Sequence, residues 1–228
     1  MGAGLAMTGF VRSLGALGVI LSLTGCGSGP ETDANPVAAI KAMIARPTPQ
    51  PPPTRADIDR VLAATTGPLI LVTRGDGHGW ATMLRIEGNG AHDTYGTADR
   101  RTLTMRNGIV TATRGLGGDL MSSDISGTEA LILSRRTGDA PRIMRFLDGE
   151  DRTQTIRFDC NVSLGRTQSI EPDTAKSNLQ LVTESCANGA LRFANTYLVD
   201  KQGRLVRSRQ WIGVQNGHLR IEMLRSAE

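Results

Sequence analysis

No Cys-x-x-Cys occurs in this chain, and its three histidines, His78, His92 and His218, stand singly in polar segments. A redox dithiol and a zinc site of ordinary ligand spacing are both excluded by that pattern. No glycine-rich loop closes on Lys-Ser or Lys-Thr, and there is no βαβ alternation, so Gly75-Asp76-Gly77-His78-Gly79 and Gly115-Leu116-Gly117-Gly118 read as turns rather than phosphate cradles. The histidines lack an accompanying Ser or Cys motif. The acid pairs Asp119 with Asp124 and Glu150 with Asp151 fall in turns, where carboxylates are ordinarily solvated. No catalytic residue, metal ligand or cofactor is assigned. Charge of either sign is not run together: the formal net charge of +4 is spread along the sequence, which excludes a nucleic-acid partner. A bilayer-spanning apolar run is missing too, because the stretch from Leu14 to Thr24 is too short for about 30 Å of hydrocarbon.

That short stretch is nevertheless informative. It follows Arg12 and ends in Leu23-Thr24-Gly25-Cys26, small residues before a cysteine, which is a lipobox at the end of an export signal. Residues 1–25 are read as a lipoprotein signal peptide, and Cys26 as the lipidated N-terminus of the mature chain. Two or three acyl chains on one cysteine hold a protein to a membrane far more firmly than one. Gly27 follows the anchor where an inner-membrane retention signal would place an acid, so the expected location is the outer membrane, facing the periplasm. Cleavage takes Arg12 and no acid, leaving 203 residues (228 less 25) and lowering the formal charge from +4 to +3.

With Cys26 lipidated, Cys160 and Cys186 are an even pair in an oxidising compartment and are expected to form a disulfide. Residues 26–54 read as a tether ending in Pro47-Thr48-Pro49-Gln50-Pro51-Pro52-Pro53, an extended polyproline spacer. Inside it Asn35-Pro36 opens a short helix. Thr54-Arg55-Ala56-Asp57 forms a capping box for a second short helix ending near Gly67-Pro68. Residues 55–228 read as the folded domain.

That domain is punctuated as an antiparallel sheet. Leu69–Thr73, Trp80–Glu87, His92–Thr97, Thr102–Met105 and Ile109–Thr113 are short runs between turns such as Gly88-Asn89-Gly90 and Asn107-Gly108. Ile156, Phe158, Cys160, Val162 and Leu164 alternate, as do Leu191, Phe193, Asn195, Tyr197 and Val199, placing each set on a core face. Val206–Ile212 and Leu219–Leu224 complete about ten strands, and no stretch after Pro68 has helical period. The expected fold is all-β: a large antiparallel meander curled into a barrel-like or half-barrel sheet, with one or two short N-terminal helices. Arg207, Arg209 and Trp211 fall on one face of a strand and have two readings: an amphipathic strand whose Trp211 is packed and whose Arg side chains lie along the sheet, which is the preferred one, or a set able to stack on a sugar or hold an acidic group, which makes them candidate glycan or partner contacts.

Two blocks carry a resemblance. Phe193-Ala194-Asn195-Thr196-Tyr197 with Gly203, Arg207-Ser208-Arg209-Gln210-Trp211-Ile212 and Ile221-Glu222-Met223-Leu224 form the first. Leu103–Val110 with Arg114-Gly115-Leu116-Gly117-Gly118-Asp119-Leu120 forms the second, and the stretch from Met121 to Thr153 carries neither. Together with the lipobox and the late cysteine they resemble the YjbF/GfcB lipoprotein family of group 4 capsule and exopolysaccharide operons, over roughly residues 54–225.

The resemblance implies an outer-membrane lipoprotein with an all-β fold and no enzymatic activity. It also implies work beside an outer-membrane β-barrel and periplasmic export proteins that secrete or assemble surface polysaccharide, with the polysaccharide itself a further partner. The other readings are a periplasmic β domain that binds a lipid or glycan and, more weakly, a polysaccharide-modifying hydrolase.

Overall fold

The computed structural model describes residues 51–77, 79–150, 152–170 and 178–226. The signal peptide, Cys26, the helix expected after Asn35-Pro36, His78 and Asp151 lie outside them.

The capping box forms as read. Thr54 Oγ1 accepts the Asp57 amide at 3.2 Å and Asp57 Oδ2 accepts the Thr54 amide at 2.9 Å, opening helix α1, Arg55–Ala64. The last turn of α1 holds no basic residue, and its exposed carbonyls are met from the far end of the chain. Arg225 donates to Leu62 O at 2.7 Å, Thr65 O at 2.9 Å and Gly67 O at 3.1 Å.

Among the described residues twelve strands follow: β1 Leu69–Arg74, β2 Trp80–Asn89, β3 His92–Gly96, β4 Thr102–Arg106, β5 Ile109–Arg114, β6 Leu120–Asp124, β7 Gly138–Leu147, β8 Thr153–Gln168, β9 Leu179–Asn188, β10 Leu191–Val199, β11 Leu205–Trp211 and β12 His218–Arg225. Between β6 and β7 lies helix α2, Ser126–Leu133. Every described pairing is antiparallel, and each strand pairs with its neighbours in sequence except at two places. β1 pairs with β12, and β5 does not pair with β6, so the sheet is a nearly closed barrel with one seam. The meander and its curling are as the turns and alternation require.

Three strands and a helix depart from the sequence reading. β7 contains Pro141, which opposes Asp159 of β8 but lies beyond the stretch, Ile143–Phe146, that β6 covers. A proline is tolerated where one side of a strand has no ladder to donate to. β9 carries Glu184 between Val182 and Cys186 on its buried face, which hides the apolar period. β6 is five residues with two serines. Helix α2 corrects the expectation that no helix follows Pro68: it buries Thr128, Glu129 and Ile132, too few and too polar a set for a visible helical stripe. Leu164, expected inward, is 42% exposed, because β8 has outrun its pairing with β7 at Val162 and shifts register against β9 after Leu164.

The inner faces pack one large core, including Ile70, Met83, Tyr95, Leu103, Met105, Val110, Leu120, Met144, Phe158 and Ile221. A second cluster sets Ile125 and Ile132 of the α2 segment against Val162, Val182, Tyr197 and Val199. The helix thereby plugs the end of the barrel where β4 ends and β5 begins. Glu129 secures it there, paired with Arg106 at 2.9 Å and accepting from Asn107 Nδ2 at 2.9 Å.

Candidate functional site

The middle of the barrel holds charge. Arg142 of β7 and Glu184 of β9 are both fully buried and pair at 2.9 Å. Glu184 Oε2 also accepts from Tyr197 Oη and Asn195 Nδ2, each at 2.7 Å. Burial opposes the charge on Arg142, yet the Glu184 carboxylate and the Tyr197 hydroxyl together hold its pKa above the ordinary value. Burial, then the neighbouring Glu184 charge, pushes the Tyr197 hydroxyl well above the usual phenol range. Desolvated ions of this kind are kept only with good geometry and further hydrogen bonds, and stranding one partner costs about 3–5 kcal/mol.

These side chains act on the seam. Arg142 Nη2 donates to Val110 O at 3.2 Å and its Nε to Ser123 Oγ at 3.1 Å, linking β5 and β6 across the break. Gln210 of β11 accepts the Val110 amide at 2.8 Å and donates to Gly108 O at 2.9 Å. Towards the other end, Thr113 Oγ1 accepts the Leu120 amide at 3.0 Å and Arg114 donates to Leu120 O at 3.2 Å. Side chains thus stand in for the missing ladder.

The acids singled out from sequence hold turns. Asp119 accepts the amides of Gly115 at 2.8 Å and Leu116 at 3.1 Å and the Thr113 hydroxyl at 2.8 Å, fixing the loop that spans the seam. Asp124 accepts the Ser126 amide and hydroxyl at the start of α2; the amide bond first, then the hydroxyl, lowers its pKa. Glu150 is exposed and paired with Arg152.

Cys160 and Cys186 stand directly opposite on β8 and β9 and are joined by a disulfide, with Cα atoms 4.0 Å apart. Their sulfurs and a Glu184 oxygen lie within 4.8 Å of one another, a trio of metal-donor types, but the disulfide takes both thiols. Beside the bridge, Trp211 stacks on Phe193 with ring centroids 4.6 Å apart, and Phe158 and Phe146 meet it edge-on.

Of the three residues expected on one face of β11, Arg207 and Arg209 are half-buried and Trp211 is buried. The β10–β11 ladder stops at Thr196 opposite Arg209, and the Asn195 side chain takes the Trp211 amide at 2.7 Å; Trp211, 9% exposed, enters the aromatic cluster. Arg207 pairs with Glu222 at 2.6 Å, and Arg209 opposes Arg220. The nearby His218 ring donates its Nε2–H to Ala194 O, 2.9 Å away, and burial lowers its pKa.

Each end of the barrel carries a cavity. One, about 270 Å³, lies where β1 ends and β2 begins, lined by Arg74, Trp80, Thr97, Arg101, Leu116 and Asn216 among others. The opposite one, about 650 Å³, lies beside the end of α2 and includes Tyr95, Met105, Leu205 and Met223 in its walls. The first was not legible in the sequence, since its residues come from five separate loops and strand ends. The polar side chains Asn195 and Glu184 at inward-facing positions were the available signal for the buried cluster.

A single nearly closed antiparallel sheet, sealed over an internal ion pair and stapled by a cross-strand disulfide, defines a β-barrel domain with a cavity at each end, one of them beside the plugging helix. The family profile described as group 4 capsule polysaccharide lipoprotein (gfcB, YjbF) matches residues 39–224, and the chain belongs to that family. Among solved structures it is similar to the crystal structure of the hypothetical lipoprotein YmcC from Escherichia coli (K12). The TM-score is 0.60 at 15% identity, over 78% of this chain and 100% of that one, a likeness of fold. No match was found among curated proteins.

Proposed function

We propose that this chain is a non-enzymatic accessory factor in secretion or assembly of capsule or exopolysaccharide, anchored through lipidated Cys26 at the outer membrane and facing the periplasm. The observation that carries the reading is its family membership across residues 39–224. The lipobox and the Gly27 that follows it support the anchor and its destination. Its partners in this reading are an outer-membrane β-barrel and periplasmic export proteins. Purification from membranes with the anchor intact tests it: the protein is expected to bring down a polysaccharide-export barrel, and recovery without any export component contradicts the reading.

A second reading, a periplasmic domain that binds a glycan or lipid, is favoured by the cavities at the two barrel ends. The two readings are compatible where the bound molecule is the exported polymer.

A further inference from the structure

The smaller cavity has a lining of a particular kind. Among the described residues it contains two guanidinium groups, Arg74 and Arg101, one indole, Trp80, one side-chain amide, Asn216, and no carboxylate. Asp76 and Asp99 pair with the two arginines from outside the lining, at 3.4 and 2.6 Å, each through a single Nη2. A guanidinium has five N–H donors, so each arginine keeps donors for a ligand. The Trp80 indole N–H is bonded to Pro51 O at 2.7 Å, which fixes this lining residue.

The walls are fixed to one another. Gly115, at φ +77°, lets the loop after β5 lie against the turn before β4: a Cβ there would meet Arg100 O at 3.3 Å and Arg101 Cγ at 3.4 Å. Asn216 Nδ2 donates to Gly117 O at 2.5 Å, tying the β11–β12 loop to the same loop. The site is thus assembled by contacts that exist without a ligand, which lowers the cost of ordering it on binding.

From this lining we infer that the cavity at the β1–β2 end binds a carboxylate-bearing sugar unit of a polysaccharide. An indole offers its face to the C–H surface of a sugar ring, guanidinium forks match a carboxylate in two parallel hydrogen bonds, and an amide serves a hydroxyl. About 270 Å³ lies just below the usual range for whole small-molecule sites, about 300–1,000 Å³, and suits a unit or two of a longer chain held at the rim. The inference rests on the polysaccharide reading proposed above and adds the chemical class of the ligand.

Titration of the purified full chain with tetragalacturonate, and with the same oligomer after reduction of its carboxyl groups to alcohols, tests it. The protein has two tryptophans, so two indole N–H signals report the outcome: Trp80 at the cavity and Trp211 in the core. The acidic oligomer is expected to move the Trp80 signal saturably, leave Trp211 in place, and bind at least tenfold more tightly than the reduced one. Arg101→Gln is expected to weaken it tenfold or more with the Trp211 signal unchanged; if that variant unfolds, Arg74→Gln gives the same readout. An unmoved Trp80 signal, equal affinity for the two oligomers, or undiminished binding by a folded arginine variant overturns the inference. Deleting the gene separates the two levels. Loss of surface polysaccharide without oligomer binding leaves the export role standing and removes this site, whereas binding without that loss leaves the site and removes the role.

Discussion

Among individual residues, Trp211 decides between packing and contact. The alternation of Arg207, Arg209 and Trp211 is legible, and so is a packed Trp as its plainer reading; what sequence does not display is the Asn195 side chain taking the Trp211 amide and the ring packing among Phe146, Phe158 and Phe193. Trp211→Ala is expected to cost about 3–5 kcal/mol in denaturant unfolding, the range for removing a core aromatic. A variant with unchanged stability would place the ring at a surface instead. The disulfide was legible because, with Cys26 read as the lipid anchor, two cysteines remain to pair. The Arg142–Glu184 pair was not: one of two arginines in β7 and the single Glu of β9 look like solvated strand residues until register brings them together.

At the scale of elements, two turns share one construction. Asp148 accepts the amides of Glu150 and Arg152, both at 2.9 Å, and the Arg152 Nε at 3.1 Å. Asp200 does the same with Gln202 at 2.9 Å, Arg204 at 2.8 Å and the Arg204 Nε at 2.7 Å. The Arg152 and Glu150 amides first lower the pKa of Asp148; burial works against the charge on Asp200, but its bonds to Arg204 outweigh it and the pKa also falls.

A carboxyl whose folded pKa lies below its unfolded value contributes stability above the unfolded pKa and loses it as pH falls through the folded one. Stability is therefore expected to hold above about pH 5 and to decline below about pH 4. Asp148→Asn with Asp200→Asn should flatten that decline in acid unfolding curves; an unchanged acid limb contradicts the assignment.

The seam is the other elemental feature. A β5 edge left bare would template pairing with another chain, and here Gln210 and Arg142 occupy its hydrogen-bonding groups from inside the barrel. Gln210→Ala should speed hydrogen exchange at the Val110 amide well beyond any change at β1 and β12. Uniform acceleration across all strands would show that Gln210 acts on global stability alone. The hairpins were readable from Asn107-Gly108 and the alternating runs, since two-residue turns and period-2 patterns are local signals. β6, β7, β9 and α2 were less so, because serines, a proline, a buried glutamate and a short half-polar helix take their meaning from tertiary neighbours.

For the whole molecule, closure comes from β1 pairing with β12 at one junction and from side chains, a plugging helix and a bridging loop at the other. The two family-like blocks lie on opposite sides of that arrangement and meet inside it, where Gln210 of one accepts the Val110 amide and donates to Gly108 O of the other. The proposed export role is tested most directly by deleting the gene and restoring it as wild type or as Cys26→Ser, then measuring surface polysaccharide and cytoplasmic sugar-nucleotide pools. The account predicts that surface polysaccharide falls while the pools are unchanged, and that wild type restores it and Cys26→Ser does not. Undiminished surface polysaccharide in the deletion strain would contradict it.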